Sequence, residues 1–371
     1  MSLKTSVAAA RPRISSPTTS STAGDESAVV PAAASPRAES EKPICHLGSG
    51  RMRAALLKVA DKLKPEHGPK TYVTSALLDK AHQQAEQPAG KFFPAGYIPA
   101  LKNYPKGKTG SAVANPFTGE VIAARDSTMT VTAQSTTKLY MAALLMMLEG
   151  PKGENELFRT VGKQPSDEAF NADSRIPDKA QSHKPLNTYI NIGAMAVTNR
   201  TWELLTERDR QLAEQGKPVP EGGSRPEIVL RDLLRTLTGN DGIEVDHEVA
   251  ESERETGDNN RRLLGNVARE RQTPVDGQPR LDGKGRPYPE MDQERIDESA
   301  ANYFRQCALK MSPQDHAKAL WGLEHKINPE TGKKYLTADQ LAILKDLTDL
   351  AGNYDQSAEL AKKTKGGAIA K

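Results

Sequence analysis

An apolar block, Leu139–Leu148, directly follows a polar run, Thr132–Lys138, and constrains the fold more than any other feature of the chain. The block is apolar nearly all round a helix of 3.6 residues per turn, so a helix built from it has no face suited to water. Its ten residues are too few to cross a membrane. The sequence therefore predicts a central helix that the rest of a globular fold buries on all sides.

A serine and a lysine, Ser135 and Lys138, stand three residues apart at the polar start of this helix and fit the pattern S-x-x-K. That spacing places both side chains on one helix face. Burial lowers the pKa of a lysine, and a neutral amine can activate a serine for acyl transfer. The pattern equally fits a polar helix cap followed by a lysine that reaches water. Taken alone, the pattern favours this second, structural interpretation.

Composition indicates one large domain with a solvated extension. The chain has 371 residues, of which only 36 % are apolar and 5 % aromatic. The net charge of +3 gives no indication of nucleic-acid binding. Two cysteines, Cys45 and Cys307, cannot form a disulfide framework, and as free thiols they favour the cytoplasm. No apolar run is long enough to predict a membrane span or a secretory signal, so we expect no membrane association.

Residues 1–48 are rich in Ser, Thr, Ala and Pro and lack apolar periodicity, which predicts a disordered tail. Three interpretations of the tail stay open: a plain solvated extension, an organelle transit peptide, and a bacterial export signal. The predicted organisation is this tail followed by one domain, residues 49–371, with a helical subdomain over about 150–345.

Within the domain, Asn-Pro and Thr-Gly pairs between β-prone flanks predict a hairpin over Gly110–Ala124. The pattern from Glu156 to Leu347 is mainly helical, with two polar, Pro/Gly-rich stretches, Glu214–Glu227 and Gln272–Glu290, that we interpret as surface insertions.

The seven histidines show no i, i+4 spacing, so we expect no metal site.

The densest polar cluster is Glu251–Asn260, with sequence ESERETGDNN. A solvated charge run at a helix end, broken by Gly257, is the ordinary explanation of such a cluster. The cluster gains a second interpretation from the segments around it.

Eight segments occur in an order that resembles the serine-dependent glutaminase family, over roughly residues 90–360. They are YIPAL (97–101), QSTTK (134–138), VGKQPSDEAFN (161–171), PLNTYINIGAMAVT (185–198), SERETGDNN (252–260), NYFRQCAL (302–309), INPETGKKYLT (327–337) and GNYDQS (352–357). Eight ordered motifs are far more specific than one S-x-x-K.

The resemblance implies an α/β (α+β) fold of the β-lactamase/transpeptidase type, with a central antiparallel sheet flanked by helices and a large helical subdomain. It implies hydrolysis of L-glutamine to glutamate and ammonia without a cofactor. By the same resemblance Ser135 is the nucleophile, Lys138 the general base and Tyr354 a proton-transfer partner. The residues implied to hold the substrate are Tyr97, Asn191, Glu253, Asn260 and Tyr303.

The chain also departs from the family pattern. Ile192 is bulkier than the residue expected beside Asn191, and Leu323–Lys326 replaces a Gly-Gly loop. The K-S-G strand expected near the C-terminus appears as AKKTKGGAIAK (361–371), without the elements that follow it in the family. The resemblance implies that this strand supplies an oxyanion-hole N–H, so the departure predicts activity below that of a complete family member.

The leading prediction is thus a glutamine amidohydrolase that acts through a Ser135 acyl-enzyme. The main alternative is a catalytically impaired protein of the same fold that binds a partner. A β-lactam or D-Ala peptidase fits less well, because no S-x-N element and no K-T-G follow the S-x-x-K. The expected ligand is a small molecule, and the sequence leaves open whether the chain forms a homo-oligomer.

Overall fold

The computed structural model describes residues 98–104, 110–150, 153–164, 171–176, 184–272 and 291–351, with scattered positions at 76, 79–80 and between 274 and 290. The predicted tail, residues 1–48, and the segment from residue 352 onward lie outside the described residues. Within the described part, no helix is both long and apolar enough to cross a membrane.

Helices make up most of the described chain. The α-helices are α1 (Thr137–Glu149), α2 (Gly153–Thr160), α3 (Asn191–Glu214), α4 (Pro226–Thr238), α5 (His247–Thr256), α6 (Asp258–Gln272), α7 (Gln293–Cys307), α8 (Pro313–His325) and α9 (Ala338–Ala351). Short 3₁₀ turns lie at Pro99–Asn103 and Gln134–Thr136. The mainly helical pattern predicted after residue 156 is confirmed in the described residues.

Helix α1 occupies the centre of the core, as its all-round apolar pattern predicts. Every residue from Thr137 to Met146 is buried, and the helix packs against α2, α3 and α9. It ends at Gly150, which has a φ of +67°. The Gln340 side chain of α9 donates hydrogen bonds to the carbonyls of Met146 (3.1 Å) and Gly150 (2.6 Å). These bonds satisfy backbone acceptors that a helix end otherwise leaves unpaired.

The predicted hairpin is confirmed. Strands β1 (Ser111–Ala114) and β2 (Val121–Arg125) pair antiparallel, with Ser111 opposite Arg125. In the turn, the Asn115 side chain accepts the N–H of Phe117 at 2.8 Å. This local bond is typical of asparagine in turns and explains why the sequence signal was reliable.

A second, shorter pair of strands brings the polar start of α1 beside the end of α7. Strands β3 (Val131–Thr132) and β4 (Lys310–Met311) pair antiparallel, with Val131 opposite Met311. Just beyond β3, the N–H of Ala133 donates to the carbonyl of Leu309 at 2.7 Å. The chain entering the Ser135 turn is therefore fixed to the end of α7.

Sheet structure in the described residues consists of these two two-stranded antiparallel pairs. The expected antiparallel pairing is present, whereas one continuous central sheet is not seen in this part of the chain and stays a prediction. The loop between α3 and α4, residues 215–225, is largely exposed, as expected for a surface segment.

Candidate active site

Lys138 lies in the first turn of α1 and is almost completely buried, with 2 % of its surface exposed. Its amine donates hydrogen bonds to the carbonyl of Tyr189 and to Oδ1 of Asn191, both at 2.8 Å. Burial lowers the pKa of Lys138 from 10.5 to about 8, although the negative charge of the nearby Glu253 opposes this shift. Of the two interpretations of the S-x-x-K pattern, the burial of Lys138 fits the first, a lysine enclosed at the start of the helix, and not a lysine that reaches water.

Ser135 lies in the 3₁₀ turn before α1, and its side chain is exposed. The sequence predicted both residues of the S-x-x-K pair on one helix, but α1 begins only at Thr137. The 3₁₀ turn begins at Gln134, whose φ of +47° lies in the left-handed region that non-glycine residues seldom adopt. This conformation turns the chain sharply just before the serine.

The acceptors of Lys138 come from a tight loop that leads into α3. The Asn187 side chain accepts the N–H groups of Tyr189 (2.8 Å) and Ile190 (3.2 Å), which fixes the loop. Gly193 allows the loop to close on the first turn of α3, because a Cβ there would lie 1.7 Å from the carbonyl oxygen of Asn187. The glycine thus positions both the Tyr189 carbonyl and the Asn191 side chain.

Three predicted substrate-binding residues meet in one buried hydrogen-bonded group beside Lys138. Asn191 Oδ1 also accepts a hydrogen bond from the Tyr303 hydroxyl at 3.3 Å, and Asn191 Nδ2 donates to Asn260 Oδ1 at 3.2 Å. Asn260 Nδ2 is buried and has no hydrogen-bond partner among the described residues. A buried amide N–H without a partner is unusual, and it leaves a donor available for a ligand.

Glu253 completes this group. It is 5 % exposed, although it belongs to a polar cluster whose other charged members, such as Glu251 and Arg254, are exposed. Burial raises the pKa of Glu253 from 4.5 to about 8, and the charge of Lys138 opposes this shift. Its Oε2 has no hydrogen-bond partner within the described residues. Glu253 therefore offers an unsatisfied acceptor in a buried site.

The break at Gly257 orients this part of the site. Helix α5 ends at Thr256 with Gly257 as its cap, as predicted, and α6 begins one residue later. A Cβ at Gly257 would lie 2.5 Å from Cζ of Phe304 on α7. The glycine thereby lets the junction pack closely on α7, while Glu253 and Asn260 are both buried on its two sides.

Six of the eight predicted site residues lie in the described chain, and five of them, Lys138, Asn191, Glu253, Asn260 and Tyr303, are buried together. Tyr97 and Tyr354 lie outside the described residues. Ile192, noted for its bulk, is fully buried in the hydrophobic core.

Two residues with no role in the sequence-based predictions also lie here. Cys307, a free thiol, is buried near Lys138 and Glu253, and burial raises its pKa well above the usual range. His316 of α8 stacks on Tyr140, and its Nε2 lies 3.5 Å from the hydroxyl of Thr136. Burial lowers the pKa of His316 to about 4, so its ring is neutral near pH 7. Their positions depend on contacts between distant helices, which no local pattern signals.

The site combines three polar features in buried surroundings. It presents an amine with a lowered pKa, an unsatisfied carboxyl and an unsatisfied amide donor. Among the described residues, no group of three or more His, Cys, Asp or Glu side chains could hold a metal ion.

Comparison with known proteins places this geometry in context. The chain matches the family model described as Glutaminase over residues 93–273 and 286–365. The gap between the two matched segments falls within the second predicted insertion.

The chain is also similar to individual proteins. It is 30 % identical over 283 residues to a glutaminase of Geobacillus thermodenitrificans, covering 76 % of this chain and 78 % of that protein. It is 31 % identical over 285 residues to a glutaminase of Shouchella clausii, covering 76 % of this chain and 79 % of that protein. Among solved structures it resembles Mglu, in its tris and glutamate form, with a TM-score of 0.51 and 25 % identity, over 72 % of this chain and 50 % of that one.

Proposed function

Because the chain belongs to the glutaminase family, a family of hydrolases, we propose that it hydrolyses the side-chain amide of L-glutamine through an acyl-enzyme on Ser135. Lys138 acts as the general base. Asn191, Glu253, Asn260 and Tyr303 hold the substrate, together with Tyr97, and Tyr354 assists proton transfer.

One observation carries the proposal: the buried group beside Lys138 contains an acceptor and a donor without partners, Glu253 Oε2 and Asn260 Nδ2. Free glutamine carries an ammonium and a carboxylate, and a buried site must pair both charges. Glu253 suits the ammonium, because it is the unsatisfied carboxyl. Asn260 Nδ2 suits an anionic or carbonyl oxygen of the substrate. A solvated helix end does not leave such groups buried and unpaired.

The hydrogen bonds of Lys138 support its role as a base. A neutral amine has two N–H bonds and one lone pair. Both N–H bonds are directed at acceptors, the Tyr189 carbonyl and Asn191 Oδ1. The lone pair is then free to take a proton, and the lowered pKa makes the neutral amine accessible near pH 8.

The proposed reaction proceeds in two halves. Lys138 takes the proton of the Ser135 hydroxyl while the oxygen attacks the side-chain carbonyl carbon of glutamine. The protonated lysine returns its proton to the nitrogen, the C–N bond breaks, and ammonia leaves. Water then attacks the carbonyl carbon of the Ser135 ester while Lys138 accepts its proton. The ester C–O bond breaks, Lys138 returns the proton to the serine oxygen, and glutamate is released. Each half balances without a cofactor.

One observation favours the alternative of ligand binding without hydrolysis. The Ser135 side chain is exposed, whereas acyl transfer is efficient where water is excluded and oxyanion donors are in place. A binding protein of this fold needs only the buried polar group and not the serine.

Ammonia and glutamate release from L-glutamine, with L-asparagine tested in parallel, separates the two functions. We expect turnover of glutamine and much less of asparagine, whose shorter side chain cannot reach the serine while its charged groups are held. Tight glutamine binding, measured by calorimetry, with no ammonia release would instead support the binding function. If the protein neither hydrolyses nor binds glutamine, the proposal is wrong.

A further inference from the structure

The backbone of Gln134 is a strained point that requires support. Its φ of +47° is one of two positive values at non-glycine residues in the described chain. Such a conformation persists only where the surroundings determine it, and it tends to occur at functional positions. Here it directly precedes the proposed nucleophile, so whatever holds Gln134 also sets the position of Ser135.

A chain of buried side-chain hydrogen bonds ends on this residue. The Thr198 hydroxyl lies 2.7 Å from Gln306 Oε1, and Gln306 Nε2 donates to Thr137 Oγ1 at 3.2 Å. The Thr137 hydroxyl in turn donates to the carbonyl oxygen of Gln134 at 2.8 Å. We name Thr198, Gln306 and Thr137 the relay.

The relay is fully enclosed. Thr198, Gln306 and Thr137 each have no exposed surface, so water does not compete for the hydrogen bonds between them. Bonds in such surroundings are stronger, and successive bonds polarise one another. Gln306 accepts through its carbonyl and donates through its amide, while the Thr198 hydroxyl lies nearer to Gln306 Oε1, at 2.7 Å, than to the Ala194 carbonyl of its own helix, at 3.0 Å. The Gln134 carbonyl is therefore held by an ordered network and not by a single contact.

The relay uses the same two helices as the substrate group. On α3, Thr198 lies two turns after Asn191, and on α7, Gln306 lies one turn after Tyr303. Residues spaced by three or seven share a helix face. The faces that carry Asn191 and Tyr303 to the substrate thus also carry the relay to the serine turn.

We propose that Gln306, with Thr137 and Thr198, is a positioning element that holds the left-handed Gln134 and thereby aims Ser135 at the substrate group. The relay touches neither substrate nor reacting atoms. This inference rests on the proposed function of Ser135. It predicts that loss of the relay lowers the rate of the chemical step and leaves substrate binding nearly intact.

The test replaces Thr137 with valine, which keeps its shape and removes the hydroxyl. We expect kcat for glutamine to fall by roughly 10²-fold, the scale of misplacing a reacting group by about 1 Å, with KM little changed. Thr137→Ser restores the hydroxyl and should recover most of kcat. Gln306→Leu should behave like Thr137→Val.

Thr201→Val is the matched control. Thr201 is also fully buried on α3, but its hydroxyl donates to the carbonyl of Val197 in its own helix at 2.9 Å. It should retain wild-type kcat. Wild-type kcat in folded Thr137→Val, or an equal loss in Thr201→Val, would overturn the proposal.

A second measurement separates this inference from the proposed function. If the wild-type chain turns over no glutamine, the proposed function fails while the relay can still be tested. Backbone hydrogen exchange should then be faster in the peptide around residues 133–137 for Thr137→Val and unchanged for Thr201→Val. Equal exchange in the wild type and Thr137→Val would show that the relay does not hold the serine turn.

Discussion

Lys138 and Glu253 are two buried groups of opposite charge, and burial moves each toward its neutral form. The pKa of Lys138 falls to about 8, and that of Glu253 rises to about 8. The charge of each residue partly opposes the pKa shift that burial causes in the other. In the proposed function, the ammonium of glutamine beside Glu253 would favour the ionised carboxylate, because a nearby positive charge lowers the pKa of an acid.

Glu253→Gln removes the negative charge that supports the protonated form of Lys138. We expect KM for glutamine to rise by a factor equivalent to about 1.5–3 kcal/mol for a lost charged hydrogen bond. The pKa of Lys138 should fall further, so the rise of kcat/KM with pH should move to lower pH than the value near 8 expected for the wild type.

The control is Glu251→Gln on the same helix, where the exposed Glu251 pairs with Arg254. Neither KM nor the pH profile should change in this control. An unchanged KM in Glu253→Gln would remove its substrate role, and a shift of the profile to higher pH would contradict the coupling with Lys138.

At the scale of single elements, the tight loop before α3 and the first residue of α3 supply both hydrogen-bond acceptors of the Lys138 amine. The loop can pack against the first turn of α3 only because Gly193 has no side chain. Substitution there disturbs the Tyr189 carbonyl and Asn191, the two acceptors of Lys138.

Gly193→Ala should therefore lower the free energy of unfolding by about 1–3 kcal/mol, the usual effect of overpacking, and should also lower kcat. Gly265→Ala in α6 is the matched control. Its added methyl would meet only Ile296 Cδ1, at 3.9 Å, and alanine favours a helix interior by up to about 1 kcal/mol. Denaturant unfolding measures the free energy of unfolding of both variants. Equal stability of the two variants would contradict the role of Gly193.

The elements that sequence predicted well are those fixed by local chemistry. Helix α1 follows from its apolar block, and the β1–β2 hairpin follows from turn residues such as Asn115. The backbone of Gln134 and the unpartnered amide of Asn260 were not predicted, because both depend on how distant helices pack. The burial of Glu253 was suggested only by resemblance, since its local sequence is that of a solvated charge run.

At the scale of the whole molecule, one buried cation joins several helices of the core. Arg200 of α3 is 2 % exposed and pairs with Glu156 of α2 at 2.6 Å and with Glu203 at 2.9 Å. Glu149, at the end of α1, lies 4.0 Å away. Breaking such a group leaves carboxylates buried without compensation.

Arg200→Ala should lower the free energy of unfolding by about 3–5 kcal/mol, a large part of the roughly 5–15 kcal/mol available to a typical domain. Arg210→Ala is the control on the same helix, where the ion pairs with Glu207 and Glu214 are exposed to solvent. Its Tm should stay close to that of the wild type, because exposed pairs contribute little. Similar Tm values for both variants would show that the Arg200 group does not support the core.

Several predictions about the chain concern residues that lie outside the described part of the structure. A disordered tail over residues 1–48, the role of Tyr354 and the effect of the altered C-terminal segment all stay predictions. Family membership supports the fold as a whole, whereas the catalytic roles depend on the geometry around α1.

The most direct test of the central claim, that Ser135 is the nucleophile of a glutaminase, is ammonia release from L-glutamine by the wild type and by Ser135→Ala. Because Ser135 is exposed, its replacement should leave the circular dichroism spectrum and Tm unchanged. We predict turnover in the wild type and loss of all measurable turnover in Ser135→Ala, with glutamine still bound. Wild-type turnover in a folded Ser135→Ala variant would contradict the claim.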